Sequence, residues 1–164
     1  VATADAGRAL RARNHWVTKD GDVVCTDERY LRFGASAEAR WIDYRVTMRA
    51  DHGTRRVGDT KEGTMAIRMA PTLRLVGEVA AGHVRNSEGV EGKDAWGKRA
   101  SWVAYWGPIA DENVTLALFD HPSNPRHPTW WHARDYGLLA DNTFGAHDFE
   151  SGAPGTGDLE VRAE

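Results

Sequence analysis

One cysteine in 164 residues, Cys25, leaves no partner for an internal disulfide and rules out a multi-cysteine metal site. It lies in VVCTDERY, a strand-like run, and reads as a buried, inert thiol that leaves the redox compartment open. Long apolar runs are also missing: none approaches the roughly 20 residues that span a membrane as a helix. Nor does one sign of charge dominate. Lys and Arg number 21 against 24 Asp and Glu, a net charge of −3 with the signs interspersed, so no basic footprint marks a nucleic-acid partner. No segment of helical length carries a 3.6-residue apolar period, and no internal repeat points to a propeller or solenoid.

What the chain does have is short alternating runs separated by Gly, Pro, Asp and Asn, the pattern of an antiparallel β-sandwich. The clearest is Arg40–Ala50, where Ile42, Tyr44, Val46, Met48 and Ala50 share one face and are expected to be buried. Thr64–Ala70 alternates likewise and predicts Met65, Ile67 and Met69 in the core, until Pro71 stops it. Further strands are expected at His15–Val17, Val23–Phe33, Arg99–Trp106, Val114–Phe119, Trp130–Asp135 and Leu138–Ala140, with an Asp-Gly turn at Lys19–Asp22. Val1–Arg13 reads as a short helix or the remnant of a missing element. Leu73–Val79 reads as a short strand or a loop, and Ala81–Ala95 as a long polar excursion. There is no initial Met, Val1–Leu10 has no signal-peptide layout, and GDLEVRAE starts like a strand. Both ends read as cuts, so the expectation is a single domain fragment, 1–164, lacking N- and C-terminal parts.

The densest chemistry lies in Phe119–Gly145, FDHPSNPRHPTWWHARDYGLLADNTFG. Pro122, Pro125 and Pro128 keep its first half out of helices and central strands, and a rigid polar loop of this kind suits the lining of a pocket. The spacing H-x5-H-x4-H of His121, His127 and His132 is no zinc signature and HExxH is absent, so no metal site is assigned. A histidine working as general acid or base is the sharper reading, with Glu62, Asp120 or Asp135 as its carboxylate. Trp16, Trp41 and Trp106 read as fillers between sheets. Trp102, Trp130 and Trp131, beside charged and amide groups, could instead stack on sugar rings. Arg99 and Arg134 could grip an anionic or polyhydroxylated ligand, and Asn124 and Asn142 suit loop caps.

WWHARDYG followed by NTFG, the earlier GDTKEGTMAIRMA (Gly58–Ala70) and WGKRASWVAYWG (Trp96–Gly107) resemble, in the same order, the bacterial family labelled "methane oxygenase PmoA". The resemblance covers nearly the whole chain. It implies an all-β supersandwich of the galactose-mutarotase-like kind, in which a concave sheet face meets sugars and His with Glu or Asp serves as acid and base. Carried onto this sequence, it implies catalytic His132, His121 and Glu62, with Arg99, Trp102, Asn124, Trp131, Arg134 and Tyr136 binding substrate. Gly63, Trp96, Gly97, Pro122, Asp135, Gly137, Asn142, Phe144 and Gly145 match as well. Family members carry a DHxHHRG motif upstream, and this chain begins after that point. A membrane oxygenase subunit would need several apolar spans, which this chain does not have. Carbohydrate-active relatives of the kind are often exported, which makes the periplasm or the exterior the expected place for a soluble parent.

Two function classes follow. One is a carbohydrate-active enzyme domain of epimerase, lyase or hydrolase type, acting on a small sugar or sugar derivative. The other is a non-catalytic sugar-binding or structural β-sandwich. No cofactor is assigned. Convergence separates the two, because an enzyme needs a histidine and a carboxylate in reach of one ligand position.

Overall fold

The computed structural model describes residues 2–4 and 8–163. The chain is an antiparallel, all-β protein and divides into two compact units, Val1–Val57 with Glu160–Glu164, and Gly58–Leu159.

In the first unit β1 (Ala2–Ala4), β2 (Ala9–Val17), β3 (Val23–Ala35) and β4 (Arg40–Arg49) form one antiparallel sheet in chain order. The helix expected within Val1–Arg13 is absent among the described residues, because Ala9–Arg13 pair with Glu28–Arg32 and the ladder overrides helix propensity. Val1 and residues 5–7, also covered by that expectation, lie outside the described residues. β5 (Arg55–Val57) pairs with β12 (Leu159–Val161).

Pairing puts Ile42 opposite Phe33, Tyr44 opposite Leu31, Val46 opposite Arg29 and Met48 opposite Asp27, so these apolar residues do share a face. Their burial is not as expected. Ile42 is 58% exposed and Val46 43%, Tyr44 and Met48 are half-buried, and only Ala50 is fully buried. Alternation reports the chemistry of a face, and the described residues of this unit place no second layer over it. Trp16 and Trp41 are each 48% exposed rather than packed between sheets. Trp41 lies across Gly34, where a Cβ would fall 2.1 Å from the indole. Trp16 donates its indole N–H to Asp27 at 2.7 Å.

Asp27 is the polar centre of this sheet. Fully buried, it also accepts hydrogen bonds from Asn14 Nδ2 and from Arg29 Nε and Nη2. Burial works to raise its carboxyl, but the bonds from Arg29, Trp16 and Asn14 outweigh burial and hold it below the ordinary value. Cys25 beside it is buried, and burial, with Asp27 second, pushes the thiol up, which fits an inert role.

The second unit is a sandwich of two three-stranded antiparallel sheets. β7 (His83–Asn86), β8 (Trp102–Ile109) and β9 (Glu112–Phe119) make one, and β10 (Trp130–Ala133), β11 (Leu138–Asn142) and β6 (Met65–Arg68) the other. Val84, Val103 and Tyr105 from the first sheet meet Trp131, Ala133 and Leu139 from the second, with Met69, Leu73 and Ile67 completing the core. Met69 is buried in the core as expected and Ile67 packs half-buried against it, whereas Met65, at the start of β6, is half-buried and outside the core cluster. Leu73–Val79 is loop after a 3-10 turn at Pro71–Leu73. The excursion Ala81–Ala95 holds β7, whose Val84 and Asn86 point inward; four residues are too few to display a period. Trp106, expected between the sheets, alternates with core Tyr105 and takes the outer face, half-buried and stacked on His83 with centroids 5.4 Å apart. A one-turn helix, α1 (Ala146–Glu150), follows β11.

Candidate functional site

β10 builds the site by alternation. Trp131 and Ala133 enter the core, so Trp130, His132 and then Arg134 share the outer face. Cross-strand pairing extends that face in rows: Trp130 beside Asn142, and His132 beside Ala140 and Ala66. In the next row Arg134 donates its N–H to the Leu138 carbonyl, and Leu138 pairs with Arg68. The two alanines leave space beside the imidazole. Gly63 closes over them, and a Cβ there would fall 2.3 Å from that of Ala140, so the turn needs glycine.

Arg134–Asp135–Tyr136–Gly137 make the four-residue connection from β10 to β11, with Gly137 at φ +84°. The turn lifts Tyr136 between two cations: the Arg134 guanidinium is 5.3 Å and that of Arg68 5.8 Å from its ring centre. Neither arginine has a carboxylate within salt-bridge distance among the described residues. Tyr105 fixes this end from inside by donating its hydroxyl to the Arg134 carbonyl at 2.9 Å, and burial pushes that hydroxyl well up.

His132 is 4% exposed. Trp96 meets it edge to face with centroids 6.3 Å apart, Phe149 of α1 lies 6.5 Å away, and Trp96 and Phe149 are 5.0 Å apart. Burial, then the neighbouring Arg134 charge, lowers the imidazole below 6.5; Glu62 and the Lys61 backbone oppose this without cancelling it. His132 is therefore neutral at neutral pH. Its Nδ1 and the Trp96 indole N–H are both buried with no hydrogen-bond partner among the described residues. Buried polar groups are normally paired, and here two orphan nitrogens lie on neighbouring rings. Beside Trp96 opens a cavity of about 280 Å³ lined by Lys93, Asp94, Trp96, Ala133, Arg134 and Asp135.

The structure brings together His132, Arg134, Tyr136 and, through its charge, Glu62. The other sequence-derived residues lie elsewhere. Trp131 is core, its indole N–H donated to the Ala100 carbonyl. Trp102 is on the outer side of the opposite sheet. His121 is exposed, its Nδ1 2.7 Å from Ser123 Oγ. Asn124 donates to Asp120. Arg99 stacks at 4.6 Å on Trp130 and donates to the carbonyls of Pro128 and Arg126. Asn142 caps loops, donating to the Thr60 carbonyl and accepting from the Phe144 N–H.

The Pro-rich half of the segment is held together internally. Buried Asp120 accepts from Asn124 Nδ2, from the Thr129 N–H and from His127 Nδ1 at 2.7 Å. Arg126 spans to the carbonyls of Thr143, Gly157 and Asp158. Arg68, Phe149 and Lys93 escaped sequence reasoning, since cross-strand pairing, the packing of α1 and the 3-10 turn Gly92–Ala95 beside β10 bring them here. Arg68 had one signal, its place opposite Met65, Ile67 and Met69. Among the described residues no three His, Cys, Asp or Glu side chains converge to hold a metal, and no helix is long and apolar enough to cross a membrane.

A two-sheet antiparallel sandwich that carries His132 and Arg134 on one outer face defines an all-β domain. The chain belongs to the family of unknown function DUF6807, whose model matches residues 1–161. No curated protein and no solved structure matches it.

Proposed function

We propose that this protein is a carbohydrate-active domain that takes a small sugar or sugar derivative against His132, Trp96, Arg134 and Tyr136. The observation that carries the reading is the pair of orphaned nitrogens on His132 and Trp96 beside an arginine that has no ion-pair partner among the described residues. A hydroxyl can accept from the indole N–H while exchanging a hydrogen bond with Nδ1, and Arg134 with Arg68 suits a carboxylate or a vicinal diol. The neutral imidazole is a base able to take a proton near neutral pH, with Glu62 the carboxylate whose charge acts on it. The resemblance to the PmoA-labelled family and to galactose-mutarotase-like supersandwiches supports the same class.

A second reading, binding without turnover, draws on one observation: among the described residues no hydrogen bond joins a carboxylate to His132, whereas Asp120 is committed to His127. Titration with galactose, glucuronate and galacturonate, followed through the indole and imidazole NMR signals, tests the site. Shifts of Trp96 and His132 that vanish in Arg134→Ala support it, and silence of both signals across the panel rejects it. Chemical conversion of a bound sugar that is lost in His132→Gln selects the enzyme; binding without conversion selects the module.

A further inference from the structure

The opposite sheet of the same sandwich carries a second aromatic surface that the His132 cleft does not use. Val103 and Tyr105 of β8 are core, so Trp102, Ala104 and Trp106 face outward. Register sets Phe119 beside Trp102, Ala117 and Arg85 beside Ala104, and Thr115 and His83 beside Trp106. Phe119 is 75% exposed, both indoles are half-buried, and small side chains floor the space between them. At about 3.3 Å per residue, Trp102 and Trp106 stand about 13 Å apart along one strand. Beyond Trp106 opens a cavity of about 300 Å³ that His83, Glu91 and Gly92 help to line.

We propose that this face binds a linear, uncharged oligosaccharide laid along β8, one pyranose ring on Trp102 and a non-adjacent ring in the hollow at Trp106. The C–H faces of a pyranose are apolar and stack on an indole, while its equatorial hydroxyls need polar partners at the rim; β8 supplies the indoles, and His83 of β7 and Thr115 of β9 supply polar groups beside Trp106. The two indoles are farther apart than one sugar ring spans, so they fit a chain rather than a monosaccharide. Charge favours a neutral chain, because the one cation on this strip, Arg85, is paired with Glu91 at 3.8 Å. Area argues against a second copy of the protein. Two strands about 26 Å long and one about 13 Å long, about 4.8 Å apart, offer on the order of 320 Å², against about 800 Å² per partner in a stable interface.

The test is calorimetric titration of the 164-residue protein with cellohexaose, xylohexaose, mannohexaose and laminarihexaose, each beside its disaccharide. At least one hexasaccharide is expected to bind, at least tenfold tighter than its disaccharide. Trp102→Ala and Trp106→Ala should each weaken binding at least tenfold, the double variant should abolish it, and the Phe variants should retain most of it. Should an Ala variant fail to fold, the wild-type indole N–H signals decide: Trp102 and Trp106 must shift on addition of hexasaccharide while Trp131 stays in place. No binding by any of the four, binding that survives in the folded double variant, or a dimer that dissociates on Trp102→Ala overturns the proposal. His132 is on the other sheet, so His132→Gln should leave hexasaccharide binding unchanged, which separates this outcome from that of the cleft.

Discussion

The indole of Trp96 and the imidazole of His132 meet edge to face, and each keeps a buried nitrogen without a partner. That relationship makes His132 costly to protonate. The unfolded chain binds a proton near pH 6.5 that the native imidazole, held lower, refuses. The contribution is thus complete above pH 6.5 and is lost as pH falls from there toward the native value. Urea midpoints should rise between pH 5 and pH 7 in the wild type and be flatter in His132→Gln. Equal slopes would show that His132 titrates as in the unfolded chain.

Asp27 gives the opposite profile at lower pH. Its carboxyl is held below 3.8, so its contribution is present above that value and is lost as pH falls through the native one. Asp27→Asn should destabilise the four-stranded sheet by about 1.5–3 kcal/mol, the range for hydrogen bonds to a charged group. The loss of stability on acidification should shrink in the variant, as read by hydrogen exchange of the β2–β3 amides.

Asp120→Ala should expose the Pro-rich loop. It strands the buried Thr129 N–H, at a cost of about 1–3 kcal/mol, and releases His127 and Asn124. Limited proteolysis should then cut between residues 121 and 128 under conditions that spare the wild type. His127→Ala, which leaves the Thr129 bond intact, should give slower cutting.

Leu139→Ala and Ile42→Thr should separate core from surface. Leu139 is fully buried in the sandwich and should cost about 2–5 kcal/mol. Ile42 is mostly exposed, and its replacement should stay within about 0.5 kcal/mol. A large loss at Ile42 in thermal melts would mean that a partner covers that face.

Strand positions and sheet faces were legible because period-2 alternation is local: Ile67 and Met69 went inward as read, and Ile42, Tyr44 and Val46 do share a side. Whether a face is covered is not local, and so Ile42 and Trp41 were misjudged. His132, Arg134 and Tyr136 were legible because one strand and its turn carry them. Arg68 was not, since its place beside Leu138 depends on a strand about 70 residues earlier in the chain. Arg99 and His121 looked like ligand groups by type, but their nearest partners are loop carbonyls and a serine.

The bond from the Thr129 N–H to Asp120 has a consequence for how this loop can change. It fixes the residue at which β10 begins, and β10 has two unlike faces. A shift of one residue would push the imidazole into the oily interior and the Trp131 indole out to the ligand side. Tip residues such as Ser123 can be exchanged without moving that point, but any insertion must be absorbed between Asp120 and Thr129. The carboxylate thus acts as a phase marker, keeping the odd and even residues of the strand on their own sides.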